Sequence, residues 1–246
     1  MYRHIQGVAL RTVRYNDNKS ILTAWTSQLG RVSLLMPSTS SRESRRRRAL
    51  TMPMSLFEAE ADVKPGREIM SVRDMRPAVV TASVSADVSK ATVAIFMAEF
   101  LDNMLREAAV GDEALWKLIV DTVTALDQAT QAAAIANMHI WFLYRLCVVA
   151  GVEPDMSTYG KGRVFDMRSG TFRNSAPGHS DYLESSEAEA IAVLQRLTPR
   201  SLHLFRLTGA RRATALDVAL RYCALHGLHS SGNMHSTEIL RAVFRD

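Results

Sequence analysis

Residues 42–48 read Arg-Glu-Ser-Arg-Arg-Arg-Arg. Arg42, Arg45, Arg46, Arg47 and Arg48 make five arginines in seven residues, and a serine-rich stretch from Ser38 to Ser41 leads into them. A guanidinium stays charged in a protein and is almost never buried unpaired, so four in a row must face water. Such a run neutralises oxyanions, and nucleic acid offers the densest array of them. Basic runs also serve as localisation signals or membrane-surface patches.

Other residues with chemical capacity lack the company that chemistry requires. His226 and His229 stand three apart with His235 beyond, but Ser230-Ser231-Gly232-Asn233 between them reads as a loop. Histidines near a helix end read as surface residues, and no metal is assigned. Neither a Cys-x-x-Cys, a phosphate-binding G-x-x-x-x-G-K-[ST] nor a G-x-S-x-G elbow occurs. Gly160-Lys161-Gly162 is too short to signal phosphate binding. Cys147 and Cys223 are the only cysteines, and both lie in apolar helical patterns as small buried hydrophobes. A thiolate at Cys147 is unfavourable there. Glu58 and Glu60 share one parity of a strand and read as a solvated face. The chain is therefore read as a non-enzyme without cofactor. Among the aromatics, Tyr15 lies beside Arg14 and a turn, where an exposed ring can stack on a base for about 1–3 kcal/mol. Trp25 reads as core.

These residues need a frame. The chain has 246 residues, 47% of them hydrophobic, enough for one large domain or two small ones. The net charge of +5 is uneven: residues 1–82 hold 14 Lys/Arg against 7 Asp/Glu, and residues 83–246 hold 16 against 18. The basic third therefore expects an anionic partner. No apolar run reaches the roughly 18 residues that span a bilayer, and the N-terminus enters a strand pattern without a signal core, so a cytoplasmic protein is expected.

Alternation predicts strands over residues 4–15, with Gly7 as a bulge, and over 20–25, 31–36, 55–63 and 68–82, with Pro77 breaking the last or placing it at an edge. Five short strands with turn signals between them fit a small barrel such as an OB-fold. From residue 83 the period becomes helical. Val93, Phe96, Met97, Phe100, Leu101 and Met104 form one face, with Asp87 as N-cap. Leu115 to Leu126 forms a second after Gly111-Asp112. Ala132 to Ala150 forms a nearly all-apolar third, stopped by Gly151. Val164-Phe165-Asp166 and Thr171-Phe172-Arg173 predict a hairpin. Ser186 to Glu189 has capping-box spacing and opens a helix to Arg196. Thr208 and Ser236 are expected to cap the last two helices. The fold class is α+β: a five-stranded OB-fold barrel at 1–82, basic and DNA-binding, followed by an α-helical bundle domain at 83–246.

Gln6-Gly7-Val8-Ala9-Leu10-Arg11 resembles the "GIVL" strand of the RecO family of bacterial DNA recombination and repair proteins. Tyr15-Asn16-Asp17, Ile21-Leu22-Thr23 with Thr26, and Gly30-Arg31 follow in that family's order. Leu56-Phe57-Glu58, Ala98-Glu99-Phe100-Leu101 and Phe165-Asp166-Met167 near Thr171-Phe172 extend the likeness along nearly the whole chain. The resemblance implies a recombination mediator. Such a protein binds single- and double-stranded DNA, anneals complementary strands, and works with RecR to load RecA onto DNA coated by single-stranded DNA-binding protein. Many relatives carry a four-cysteine zinc site near positions 155–180; this chain has no cysteine there, so zinc is not carried over. The basic loop also differs from the usual Gly/Ala-containing one.

The expected DNA contacts are Arg31, Arg42, Arg45, Arg46, Arg47 and Arg48, extended by Arg11, Arg14 and Tyr15. A family partner, the C-terminal tail of single-stranded DNA-binding protein, is acidic and ends in an apolar residue with a free carboxylate. It needs arginine at the rim of an apolar pocket, and Arg200, Arg206, Arg211 and Arg212 near Leu202, Phe205 and Leu207 are the candidates. The competing reading is a basic adaptor for a membrane surface or for acidic protein partners. The mediator reading places the protein in the cytoplasm, associated with the nucleoid and not with a membrane.

Overall fold

The computed structural model describes residues 2–17, 19–37, 49–64, 66, 68–106, 111–228 and 234–245. The chain forms two compact units, 1–128 with 234–243, and 129–233 with 244–246.

The first unit opens with five strands: β1 (Tyr2–Asn16), β2 (Lys19–Thr26), β3 (Gly30–Pro37), β4 (Leu56–Asp62) and β5 (Ile69–Pro77). They close into a barrel in the order β1-β2-β3-β5-β4. Every pairing is antiparallel except β3 with β5, which runs parallel over Ser33–Leu35 and Ile69–Ser71. This is the OB-fold expected from the strand pattern. The alternation predicted for β4 holds: Phe57, Ala59 and Ala61 face the core with Ile5, Ala9, Leu22, Ala24 and Leu34, while Glu58 and Glu60 lie on the other side. Trp25 is fully buried.

Gly7 is not a bulge. It pairs in register with Thr26 and Phe57, and the irregularities of β1 fall between Ala9 and Arg11 and between Arg14 and Asn16. A Cβ at Gly7 would meet the Phe57 ring at 2.7 Å, so close packing, not strand geometry, requires the glycine. Beyond Leu10 every residue of β1 is exposed, so Arg11 to Asn16 form an open ribbon edge paired with β2.

Among the described residues three helices follow β5: α1 (Ala82–Ala86), α2 (Val88–Met104) and α3 (Glu113–Gln128). Asp87 caps α2, accepting from the Lys90 backbone N–H at 3.1 Å, as its position predicts. Asp112 does the same for α3 through Leu115. α1 was not evident from the sequence, because its stabilising group is remote: the Asp127 carboxylate accepts from Ser83 N–H at 2.8 Å. The C-terminal helix, α7 (His235–Val243), belongs to this unit as well. Ser236, the expected cap, lies inside it. The Glu99 carboxylate of α2 instead accepts from the backbone N–H groups of His235 at 3.0 Å and Ser236 at 2.9 Å.

The second unit is built on α4 (Ala132–Val149), followed by Gly151 at φ +70°. By length and composition this helix is apolar enough to cross a membrane, contrary to the expectation of no such stretch, and 67% of it is buried in the protein. It is the core helix that its all-round apolarity predicts. The predicted hairpin forms as β6 (Val164–Asp166) and β7 (Thr171–Arg173), and β8 (Tyr182–Leu183) adds on the other side of β6. α5 (Ser185–Arg196) starts after Glu184, so Ser186, the expected cap, lies inside it, and no side-chain cap forms. α6 (Gly209–Leu225) is capped by Thr208 as expected.

The sequence divides the chain by function at residue 82. Packing places α1, α2, α3 and α7 in the same compact unit as the barrel.

Candidate nucleic-acid interface

Basic and aromatic side chains lie on the outside of the barrel, and their partners differ. Arg14 and Asp17 form an ion pair at 2.6 Å with both side chains largely in water, an arrangement worth little in free energy. Tyr15 beside them is 61% exposed, as a stacking ring must be. Arg31 is differently placed. Its Nε and one terminal nitrogen donate to Asp102 Oδ1 at 3.2 and 2.6 Å, and its side chain is only 26% exposed. Arg11 approaches the other oxygen of Asp102 at 3.5 Å. One carboxylate on α2 therefore holds two of the expected DNA contacts. Sequence reasoning missed Asp102 because nothing local links it to residues on β1 and β3.

Further contacts on the barrel exterior were missed. The Arg73 guanidinium lies 3.8 Å above the Tyr2 ring, a cation–π contact on the barrel exterior. Arg76 donates to Glu58 at 2.5 Å, and His4 lies 3.3 Å from Glu60 and 3.6 Å from Glu58. Glu58 is thus salt-bridged and Glu60 hydrogen-bonded on the outer face. Their only early signal was parity on β4. Arg42, Arg45, Arg46, Arg47 and Arg48 lie outside the described residues.

A cleft of about 280 Å³ lies in the same unit, bounded by Leu50, Met52, Met54, Val80, Val84 and Ile95. Among the described residues its lining includes hydroxyl groups but no acid, base or thiol.

In the second unit, Arg200, Arg206 and Arg211 are exposed. Arg212 is buried, and it donates to the carbonyls of Leu207 at 2.8 Å and Phe244 at 3.2 Å and to Asn137 Oδ1 at 3.3 Å. Asn137 in turn donates to the Leu202 and Phe205 carbonyls at 3.1 and 2.5 Å. Arg212 and Asn137 thus staple the Leu202–Leu207 segment from within, while the other three arginines surround it in water. Leu202 is fully buried.

His226 Nε2 lies 3.0 Å from the Met167 carbonyl, and His229 is outside the described residues. Among the described residues no group of three or more His, Cys, Asp or Glu is placed to hold a metal ion. Cys147 and Cys223 are buried, with sulfurs 3.8 Å apart, and the hydrogen bond with Cys147, together with burial, pushes the Cys223 thiol far above its usual range.

Two family models cover the chain. "Recombination protein O N terminal" matches residues 1–79, and "Recombination protein O C terminal" matches residues 85–232. Similar curated proteins include the DNA repair protein RecO of Bacteroides fragilis, 30% identical over 245 residues, covering 99% of this chain and 100% of that one. The RecO of Phocaeicola vulgatus is 30% identical over 244 residues, with the same coverage of both chains. That of Porphyromonas gingivalis is 28% identical over 225 residues, 90% of this chain and 91% of that one. Both halves of the chain and its full length thus match one family, and the chain belongs to the RecO family of DNA repair and recombination proteins.

Proposed function

We propose that the protein is a non-enzymatic recombination mediator that binds single- and double-stranded DNA through the barrel and the arginine run, and anneals complementary strands. The observation that carries the reading is a closed barrel in OB-fold strand order whose β1 edge exposes Arg11, Arg14 and Tyr15, in a chain of this family. Bringing two polyanionic strands together requires screening their repulsion. Arginines can do this through phosphate contacts that carry no base information. No catalytic residue is needed. The helical region would dock proteins: RecR, for loading RecA, and the acidic tail of single-stranded DNA-binding protein at Arg200, Arg206 and Arg211. Arg212 would support that segment from inside. A protein of this kind works in the cytoplasm on the nucleoid.

An annealing assay on naked and protein-coated single strands, run with wild type and with Arg45 to Arg48 replaced by alanine, tests the reading. Each neutralised single-strand phosphate adds about −0.7 to the slope of log K against log salt, so the quadruple variant should flatten it by roughly two units, with one or two of the four arginines idle. Annealing should weaken in step. A quadruple variant with the wild-type slope would reduce the run to a solubility feature.

A further inference from the structure

The small sheet of the second unit holds an uncommon arrangement of charge. The carboxylates of Asp166 and Asp181 are buried, with 3% and 11% of their side chains exposed. Three arginines reach them from outside. Arg168 donates from Nε to Asp181 Oδ2 at 2.7 Å, and Arg221 donates to the other oxygen of Asp181 and to the Ser180 carbonyl. Arg173 Nε lies 3.1 Å from Asp166 Oδ2, with His179 Nε2 at 3.4 Å from Asp166 Oδ1. The backbone N–H groups of Arg168 and Ser169 also donate to Asp166. Three guanidiniums thus stand on two carboxylates, with the negative groups inside. The arginine side chains are 50% to 56% exposed.

Arg168 and Arg173 are held through Nε, so among the described residues both terminal nitrogens of each are left without a partner. An arginine anchored this way gives up part of its rotamer freedom before any ligand arrives. Its terminal N–H groups still form a fork that matches a phosphate or carboxylate. The scaffold beneath is rigid: Phe165 packs on Phe172 and Tyr222 with ring centroids 4.9 and 5.8 Å away. Phe165, Phe172 and Tyr222 are themselves buried, so these rings offer no hole for an apolar anchor beside the forks. An acidic peptide tail needs such an anchor, whereas a phosphodiester chain does not.

We propose that Arg168, Arg173 and Arg221 form a second phosphodiester-binding surface, on a compact unit separate from the barrel. This rests on the DNA-binding reading above. It gives one chain two places to hold strand backbone without reading sequence.

The test removes one charge set together, so that no buried carboxylate is left unpaired. The full-length Arg168→Gln, Asp181→Asn, Arg221→Gln variant is titrated with labelled oligothymidylate over a salt series. Loss of the Arg168 contact, with up to one more at Arg221, should flatten the slope by about 0.7 to 1.4. Combined with the Arg45–Arg48 alanine variant, the two losses should add. Arginine-specific modification of the wild type by phenylglyoxal, read by mass spectrometry, needs no variant. Oligothymidylate should protect Arg168, Arg173 and Arg221 several-fold. Unchanged modification of all three, or an unchanged slope in a folded triple variant while the loop variant still flattens it, overturns this proposal and leaves the barrel reading standing. A triple variant that loses affinity for polyglutamate but not for DNA also overturns it. A wild type with no salt-dependent DNA binding removes both.

Discussion

Asp102→Asn should lower stability and strengthen DNA binding at once. Asp102 Oδ1 accepts two hydrogen bonds from Arg31 at 3.2 and 2.6 Å, and Oδ2 lies 3.5 Å from Arg11. Only 14% of the Asp102 side chain and 26% of that of Arg31 are exposed, so the Arg31 pair lies between a surface and a buried one, while Arg11, at 62%, adds little. Exposed pairs are worth at most about 1 kcal/mol and breaking a buried one costs about 3–5. Asparagine keeps one acceptor oxygen, so a loss of about 1–3 kcal/mol is expected. For a protein of this size that is a fall in Tm of roughly 2–12 °C. The same change frees two guanidiniums. If both then take phosphates, the salt slope on single strands steepens by up to about 1.4. Thermal melts and fluorescence anisotropy of labelled oligothymidylate across a salt series read the two effects. The opposite signs are diagnostic, because a partly unfolded protein would bind more weakly, not more tightly. A folded variant whose slope is unchanged would show that Arg31 and Arg11 do not face the DNA. An unchanged Tm would refute the energetic reasoning.

Other consequences concern folding. Glu99→Ala removes the acceptor of two N–H groups at the start of α7; it should cost about 1–3 kcal/mol and speed hydrogen exchange over 235–243, and unchanged protection there would show that Glu99 does not hold the helix. Hydrogen bonds from Arg168 and Arg221 hold the Asp181 carboxyl below its usual range. Burial pushes Asp166 up, but hydrogen bonds from the backbone and side chain of Ser169 and the Arg168 backbone, with the Arg173 charge, outweigh it and hold that carboxyl low as well. The unfolded chain takes these protons first, so their stabilisation is complete above about pH 4 and is lost as pH falls through the lower folded values. Urea unfolding below pH 4 should show a shallower loss in Asp181→Asn than in wild type, and equal slopes would count against the ion-pair network. Burial, with the Arg212 charge, holds His139 down at about 3. It stays neutral in the fold while the unfolded chain protonates near pH 6.5, so stability should fall by about 2 kcal/mol from pH 7 to pH 5. His139→Leu should lack that component, and an identical pH dependence would refute the assignment.

Much of the fold was legible because its signals are local. Alternation in β4 and the 3.6-residue period of α2 and α4 need only neighbouring residues, and Asp87 and Thr208 cap helices within three residues of themselves. The features that were not legible share one cause: their partners lie far along the chain. Glu99 caps a helix 136 residues away, Asp127 holds the start of α1 across 44 residues, and Asp102 meets Arg31 across 71. Local capping residues such as Ser236 were therefore credited with work done elsewhere. Gly7 looked like a bulge because the ring that excludes a side chain comes from Phe57 on another strand.

The same cause limits reading a DNA surface from arginines alone. A cation in a sequence looks available until its carboxylate is found, and the two kinds of pairing seen here differ in consequence. Arg212 directs donors at three separate internal acceptors and is buried, so its charge supports a segment from inside. Arg168 and Arg173 meet their aspartates through Nε and remain half in water, so pairing orients them without consuming the terminal fork. Arg31 stands between, with Nε and one terminal nitrogen both on Asp102. What decides whether a paired arginine can still hold a phosphate is therefore which nitrogens the carboxylate takes. On that criterion Arg168 and Arg173 are better placed to bind backbone than Arg31, although only Arg31 lies on the barrel that the sequence marked as basic.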